Sequence, residues 1–110
     1  DMGKLYTKNG LEAMADGDSS FVNLMLETFV TSCRDAVVDM REAMNSADLI
    51  KINQTAHKIK PSVDTVAPAL SERVRKLESM SDANEVSLVE LFAADLCASL
   101  DQIEADLSQE

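Results

Sequence analysis

The chain has few of the residues that cross-link a small fold, interrupt its helices or favour sheets. Its 110 positions hold two cysteines, two prolines, three glycines, four aromatic residues and no tryptophan. Cys33 and Cys97 lie far apart, without the close pairing of metal ligands, so we expect two reduced thiols rather than a metal site or a disulfide. The apolar residues are instead mainly Leu, Val, Ile, Met and Ala, which favours helices over sheets.

Positive charge is also scarce, since ten basic residues face twenty acidic ones and the net charge is −10. Such a field repels the phosphates of nucleic acids and anionic membrane surfaces, so we expect neither as a partner. No apolar run approaches the ~20 residues that span a bilayer. The first residues do not resemble a signal peptide either. These absences predict a cytoplasmic protein without membrane insertion.

Apolar residues recur at three- and four-residue steps along the chain, the spacing of amphipathic helices. They predict an all-α fold, an antiparallel up-down-up-down four-helix bundle with a short N-terminal helix at residues 10–15. The length fits a single domain over residues 1–110, with its core between about residues 10 and 108. We expect a monomer, because the four apolar stripes can cover one another.

Several residues mark where these helices begin. Asp18, with Ser19 as an alternative, and Asp48 are predicted N-caps, and Pro68 opens a later helix. Residues 87–90 read as a capping box, with Val86 and Leu91 as a hydrophobic staple. The stripe predicted for the first long helix consists of Phe21, Leu24, Met25, Phe29, Ser32, Ala36, Met40 and Ala43. That of the last helix consists of Leu88, Phe92, Leu96, Leu100, Ile103 and Leu107.

The helix that follows Asp48 carries the only histidine of the chain, His57. An advance of about 100° per residue divides this helix into an apolar side and a polar strip. The apolar side, which we expect to be buried, consists of Leu49, Ile52, Ala56, Ile59, Val63 and Val66. The outward strip consists of His57, Ile50, Asn53, Gln54, Lys60, Pro61 and Asp64. The histidine is therefore predicted to face solvent.

A single exposed histidine excludes several kinds of site. It cannot supply the ligands of an ordinary zinc site, and Gln54 rules out the Glu-x-x-His motif of di-metal bundles. No Ser or Cys is visibly paired with an acid and this imidazole, which argues against a hydrolytic triad. One histidine can still act alone as a nucleophile, because a neutral imidazole nitrogen can carry a phosphoryl group transiently.

Basic side chains concentrate around this histidine. Residues 51–76 hold six basic side chains and two acidic ones, a net charge of +4, so the other residues carry −14. Lys60 shares the face of His57 and is placed to offset the charge of a phosphoryl group. Lys58 lies about 100° around the helix and helps less directly. This pattern predicts an anionic site on the partner.

The segment Ala56-His57-Lys58-Ile59-Lys60-Pro61-Ser62 is similar to the signature of histidine phosphotransfer domains, A-H-x-L-K-G-S. The layout over about residues 10–105 also resembles that family. The shared features are a short first helix, Gly17-Asp18 before a long helix with Phe29, and Leu77-Glu78 after the motif.

This resemblance implies a phosphorelay protein whose His57 is phosphorylated and whose Lys60 stabilises the phosphoryl group. His57 would accept the group from, and donate it to, receiver-domain aspartates of response regulators or of a hybrid sensor histidine kinase. The chain would then be a phosphocarrier without independent turnover, and not an enzyme. It would need no cofactor or metal of its own, because the required Mg²⁺ belongs to the receiver domain.

Two residues depart from the family pattern, Pro61 and Ala67, where the family has glycines. Proline lacks an N–H and crowds the preceding turn, so we expect a kink after the motif, with the helix resuming at Ser62. The residues predicted to contact the partner are Ile50, Asn53, Gln54, Lys58, Pro61 and Asp64. Leu11 and Met14 of the short first helix either cap the core or extend this docking surface.

Two other functions stay open at this stage. The chain could be a helical interaction or scaffold bundle whose histidine is not phosphorylated, a reading that Pro61 favours. It could also be a phosphatase or hydrolase that uses His57, although no second catalytic group is visible beside it. Phosphoryl transfer in both directions would separate the carrier from the scaffold, and release of free phosphate without a partner would indicate the hydrolase.

Overall fold

Five α-helices make up most of residues 4–110, the part of the chain that the computed structural model describes. They are α1 (Asn9–Ala15), α2 (Ser19–Asn45), α3 (Leu49–Val66), α4 (Ser71–Glu78) and α5 (Leu88–Leu107). Short 3₁₀ turns at Pro68–Leu70 and Ala83–Glu85 precede α4 and α5. α2 packs against α3 and α5, α3 packs against α4, and α1 covers one end of the α2–α3 pair. This architecture confirms the predicted all-α bundle.

Two of the predicted N-caps are present. An Asp18 carboxylate oxygen accepts a hydrogen bond from the Phe21 N–H at 3.1 Å, and Asp48 accepts one from the Lys51 N–H at 3.0 Å. Each bond satisfies a backbone donor that a helix start leaves unpaired. The 27 residues of α2 extend over about 40 Å. This helix therefore runs almost the full 45 Å length of the molecule.

The core side of α2 was predicted correctly only in part. Phe29, Ala36, Met40 and Ala43 are buried as expected. Nearer the start of the helix the predicted stripe is wrong at Leu24, which is 58% exposed, and at Ser32, which is exposed as well. Phe21 is half-buried and Met25 packs against the core, while Val22, Leu26 and Cys33 are buried. The first half of α2 is apolar on more than one side, so its spacing fits two stripes, and contact with the rest of the bundle selects one.

The predicted start of α5 is also wrong in detail. Ser87 makes no capping hydrogen bond, and Leu91 is 61% exposed instead of stapling the helix. An N-cap side chain needs an extended backbone, whereas Ser87 already has helical angles, φ −62° and ψ −21°. The extended residue is Asp82, whose carboxylate accepts the Asn84 N–H at 2.9 Å and begins the 3₁₀ turn before α5. The rest of the α5 stripe is buried or packs against the core.

The structure of α3 follows its predicted pattern closely. Ile52, Ala56, Ile59, Val63 and Val66 are buried, and Leu49 packs against the core. The helix continues through Pro61, so the expected interruption before Ser62 is wrong. A proline removes one N–H donor. Because Pro61 lies on the exposed side of α3, water can replace that donor at the His57 carbonyl.

The segment before α1 belongs to the packed structure. Tyr6 is buried, and its hydroxyl donates a hydrogen bond of 2.7 Å to Asp106 on α5. The Thr7 N–H donates to the Val66 carbonyl at 2.8 Å. Lys8 pairs with Glu110 at 3.6 Å, so the segment before α1 lies beside the last residue of the chain.

Both cysteines are free thiols, as expected. Cys33 is buried on α2, where burial raises the pKa of its thiol to about 12, so this thiol is unreactive at neutral pH. Among the described helices, none combines the length and the apolar character that crossing a lipid bilayer requires.

Candidate functional site

His57 lies midway along α3, and its side chain is 73% exposed, which confirms the outward direction predicted from the helical pattern. The Nδ1 atom of its ring forms a short hydrogen bond with Oε2 of Glu78 on α4. A carboxylate only accepts hydrogen bonds, so we assign the ring proton to Nδ1. The Nε2 atom then carries the lone pair, at the edge of the ring that this contact leaves free.

Lys60 contacts the same carboxylate. Its Nζ donates a hydrogen bond of 2.8 Å to Oε1 of Glu78, so Glu78 bridges the lysine and the histidine. The pKa of Glu78 is lowered, chiefly by the hydrogen bond from Lys60 and then by that from His57. Glu78 therefore stays ionised at neutral pH. The cation predicted to serve His57 directly is paired in this structure with a carboxylate that contacts the ring.

Glu78 is the site residue that sequence reasoning missed. The family resemblance includes Glu78 in the layout after the motif but implies no role for it. Its position does carry a signal in the sequence: His57 lies ten residues before Ala67, and Glu78 lies ten residues after Pro68. In an antiparallel helical hairpin, residues equidistant from the turn lie level with each other. The signal becomes usable only once α3 and α4 are known to form such a hairpin.

Two of the residues predicted to contact the partner, Asn53 and Asp64, bind α4. The Asn53 amide nitrogen donates to the carbonyls of Leu77 and Met80 at 2.8 and 3.0 Å, which satisfies backbone acceptors at the end of α4. Asp64 forms a two-point ion pair with Arg75 at 2.8 and 2.7 Å. The hydrogen bond from Arg75 holds the pKa of Asp64 well below its usual range. Both residues hold α4 against α3 next to His57.

The other four predicted contacts surround His57 on the open face of α3. Ile50 is 69% exposed, and Gln54, Lys58 and Pro61 are exposed as well. Lys58 forms no ion pair with any residue in the range 4–110. We call these four residues, together with His57, the α3 face. It combines one large apolar side chain, one unpaired cation and the nucleophilic nitrogen.

The basic patch predicted from residues 51–76 is largely neutralised in the folded chain. Lys60 pairs with Glu78 and Arg75 with Asp64, as described above. The remaining pairs are Lys51 with Glu42 at 4.0 Å, Arg73 with Asp95 at 2.8 Å and Lys76 with Glu85 at 3.9 Å. Most of these acidic partners lie outside the segment, so a count of charges along the sequence misses them. Of the six basic side chains in this segment, Lys58 is the one that forms no ion pair with the described residues.

An apolar groove of about 220 Å³ adjoins the α3 face on the side away from α4. Met14 of α1, Met25 of α2 and Pro61 of α3 are among the residues that line it. Leu11 and Met14 of α1 were expected either to cap the core or to extend the docking surface. Leu11 is buried in the core, and Met14 is 60% exposed at the groove. Pro61 thus stands between His57 and the groove.

Comparison with known proteins identifies the family. The family model described as "Hpt domain" matches residues 24–109 of the chain. The crystal structure of histidine-containing phosphotransfer protein B (HptB) from Pseudomonas aeruginosa PAO1 has the same fold, with a TM-score of 0.77 over 96% of each chain and 16% sequence identity. No curated protein matches the chain. Because the family model covers most of its length, the chain belongs to the Hpt domain family, the histidine phosphotransfer domains of phosphorelay signalling.

Proposed function

We propose that Nε2 of His57 accepts a phosphoryl group from a phosphorylated aspartate of one receiver domain and passes it to another. The observation that supports this most directly is the contact of Nδ1 with Glu78. It fixes the ring, places the proton on Nδ1 and leaves a nucleophilic nitrogen on a side chain that is 73% exposed. A carrier needs this exposure, because the partner must bring its own aspartate into line with Nε2.

In the transfer step His57 acts as the nucleophile. The Nε2 lone pair attacks phosphorus, the bond from phosphorus to the aspartate oxygen breaks, and the carboxylate leaves with the electron pair. The His57 ring keeps its Nδ1 proton and becomes a phosphorylated imidazolium. Donation to the next receiver is the same step reversed. The Mg²⁺ that offsets charge on the phosphoryl oxygens would be supplied by the receiver domain, and no cofactor would be bound here.

The site favours a carrier over a hydrolase. The carboxylate in contact with His57 is Glu78, and it sits at Nδ1 while also holding Lys60. A hydrolase would need a base beside the phosphoryl group at Nε2 to activate water. Oε2 of Glu78 is committed at Nδ1, the other nitrogen of the ring, and Oε1 accepts the hydrogen bond from Lys60. We therefore propose a phosphocarrier without independent turnover.

The α3 face is the proposed docking surface for the receiver domain. Ile50 would contact apolar residues around the receiver's site, and Lys58 would face its acidic residues. The groove behind Pro61 would extend the contact toward Met14 and Met25. The donor and the acceptor would be response regulators or the receiver of a hybrid sensor histidine kinase. We also propose that the chain works as a monomer in the cytoplasm.

The test is phosphoryl transfer from a ³²P-labelled receiver domain to the purified chain, with His57→Gln as the control. We expect an acid-labile label on the wild type and none on the variant. Addition of an unlabelled second receiver should then remove the label from the chain. No label from several receivers, with circular dichroism showing a folded helical protein, would contradict the proposal and favour the scaffold bundle.

A further inference from the structure

The charge of the His57 ring changes during the proposed transfer. Glu78 contacts Nδ1, the ring nitrogen that carries the proton. To attack phosphorus through Nε2 the ring must be neutral, with its proton on Nδ1. After Nε2 binds phosphorus, the ring still carries that proton and has become a cation. Glu78 Oε2 accepts the Nδ1 hydrogen bond. A carboxylate in this position stabilises the cationic ring more than the neutral one.

We infer that Glu78 is the counter-ion of the phosphorylated His57 ring, and that its negative charge keeps Nδ1 protonated until the phosphoryl group leaves. This inference rests on the proposed phosphorylation of His57. It assigns to Glu78 an electrostatic role in the onward step, in addition to holding the ring in place.

The proton on Nδ1 decides how well the ring can act as a leaving group. When the bond between Nε2 and phosphorus breaks, its electron pair returns to the ring. A ring that carries the Nδ1 proton departs as neutral imidazole, whereas a ring that has lost it departs as the far more basic imidazolate. Onward transfer to an aspartate therefore slows once Nδ1 deprotonates. A fixed carboxylate at Nδ1 moves that loss of the proton to higher pH.

Lys60 completes the arrangement, because it holds the other oxygen of Glu78 at 2.8 Å. In the resting state the lysine and the carboxylate neutralise each other beside a neutral ring. In the phosphorylated state the ring itself is a cation that Glu78 can balance. The dianionic phosphoryl group then offers Lys60, three residues along the same helix, a second partner. Glu78 thus changes from the counter-ion of Lys60 to that of the ring.

The other charged groups near this site do not replace Glu78. On α4, Arg75 is bound by Asp64 at 2.7 Å. From α2, Glu42 reaches Lys51, about two turns before His57. Lys58 is exposed and would favour loss of the proton. Within residues 4–110, Glu78 is the carboxylate that contacts the ring.

The experiment compares the wild type with Glu78→Gln, which keeps an oxygen acceptor for the Nδ1 proton and removes the charge. Both proteins are phosphorylated with phosphoramidate, a small donor that needs no receiver, and the ring is titrated by ¹⁵N and ³¹P NMR. We expect the wild-type phosphorylated ring to keep its proton to a higher pH than the variant. Glu72→Gln, which removes the same charge elsewhere on α4, should behave like the wild type.

The rate of onward transfer should follow the same order. At pH values between the two deprotonation midpoints, Glu78→Gln should donate to a receiver more slowly than the wild type, by about tenfold for each pH unit above the midpoint of the variant. Equal midpoints in the wild type and Glu78→Gln would overturn this inference and leave the proposed function intact. Failure of receivers to phosphorylate a chain that phosphoramidate does phosphorylate would overturn the proposed function. Failure of phosphoramidate as well would overturn both, because both require an accessible nucleophilic Nε2.

Discussion

Lys60 and Glu78 form a hydrogen-bonded ion pair across the α3–α4 interface, with 2.8 Å between Nζ and Oε1. Their side chains are only 28% and 25% exposed, so solvent screens this pair less than the other ion pairs around α3. In the resting protein the lysine of the motif therefore contacts the carboxylate that binds His57. The predictions below follow from this relationship and from the α3 face.

Removal of the lysine should change how Glu78 titrates. The pKa of Glu78 lies below the ordinary 4.5, and the hydrogen bond from Lys60 is the largest cause. Lys60→Met should therefore raise the pKa of Glu78, and Lys58→Met should leave it unchanged. A carboxyl group with a lowered pKa contributes stability above pH 4.5 and loses it as the pH falls through the folded value. In Lys60→Met this acid-induced loss should be smaller. ¹³C NMR of the carboxyl groups checks the shift, and equal titration in both variants would contradict it.

Ile50 should contribute to partner contact and not to folding. Its side chain is 69% exposed, so Ile50→Glu should change the free energy of unfolding by no more than about 0.5 kcal/mol. Transfer from a phosphorylated receiver should slow by about tenfold, the equivalent of 1.4 kcal/mol of lost contact. Leu91→Glu is the matched control, because Leu91 is 61% exposed on α5. Equal transfer rates in the two variants would exclude Ile50 from the docking surface.

Lys58, the unpaired cation of the α3 face, should raise the rate of association with an acidic receiver site. Lys58→Gln should lower the second-order rate of transfer, and the loss should shrink as the salt concentration rises. Lys76→Gln makes the same change of charge on α4, where Lys76 lies 3.9 Å from Glu85. We expect it to have the smaller effect. Stopped-flow measurements at low and high salt test this, and a larger effect of Lys76→Gln would show that docking occurs over α4.

Pro61 should reduce the stability of the bundle. A proline within a helix removes one hydrogen bond and crowds the preceding turn, at about 3 kcal/mol relative to alanine. Pro61→Ala restores the donor for the His57 carbonyl without adding bulk. We expect the free energy of unfolding in urea to rise by about 1–3 kcal/mol. A decrease would mean that packing of the proline ring at the groove near Met14 and Met25 outweighs the lost hydrogen bond.

The sequence predicted those features that depend on a single helix. The apolar side of α3 is clearly separated from its polar side, so the burial of Ile52, Ala56 and Ile59 and the exposure of His57 could be predicted from spacing alone. The N-caps Asp18 and Asp48 act within one turn of backbone and were predicted for the same reason.

Features that depend on two elements could not be predicted in this way. The register of the first half of α2 depends on which of two apolar sides the rest of the bundle covers. Ser87 has the right neighbours for a capping box, but the 3₁₀ turn before it gives it a helical backbone. The partners of Lys60 and Arg73 lie on other helices, as does the Glu78 contact with His57. These pairings cannot be predicted from charge and spacing along the chain.

The two ends of the described chain meet at one end of the bundle, where Lys8 pairs with Glu110 and Asn23 hydrogen-bonds the same carboxylate at 2.8 Å. A short linker between these ends would therefore close the chain into a ring with little strain. A new opening at the exposed turn of residues 46–48 would give a circular permutant with the same bundle. For the same reason the domain can be inserted into a surface loop of another protein. His57 lies on the flank of the bundle, so it would stay accessible in either arrangement.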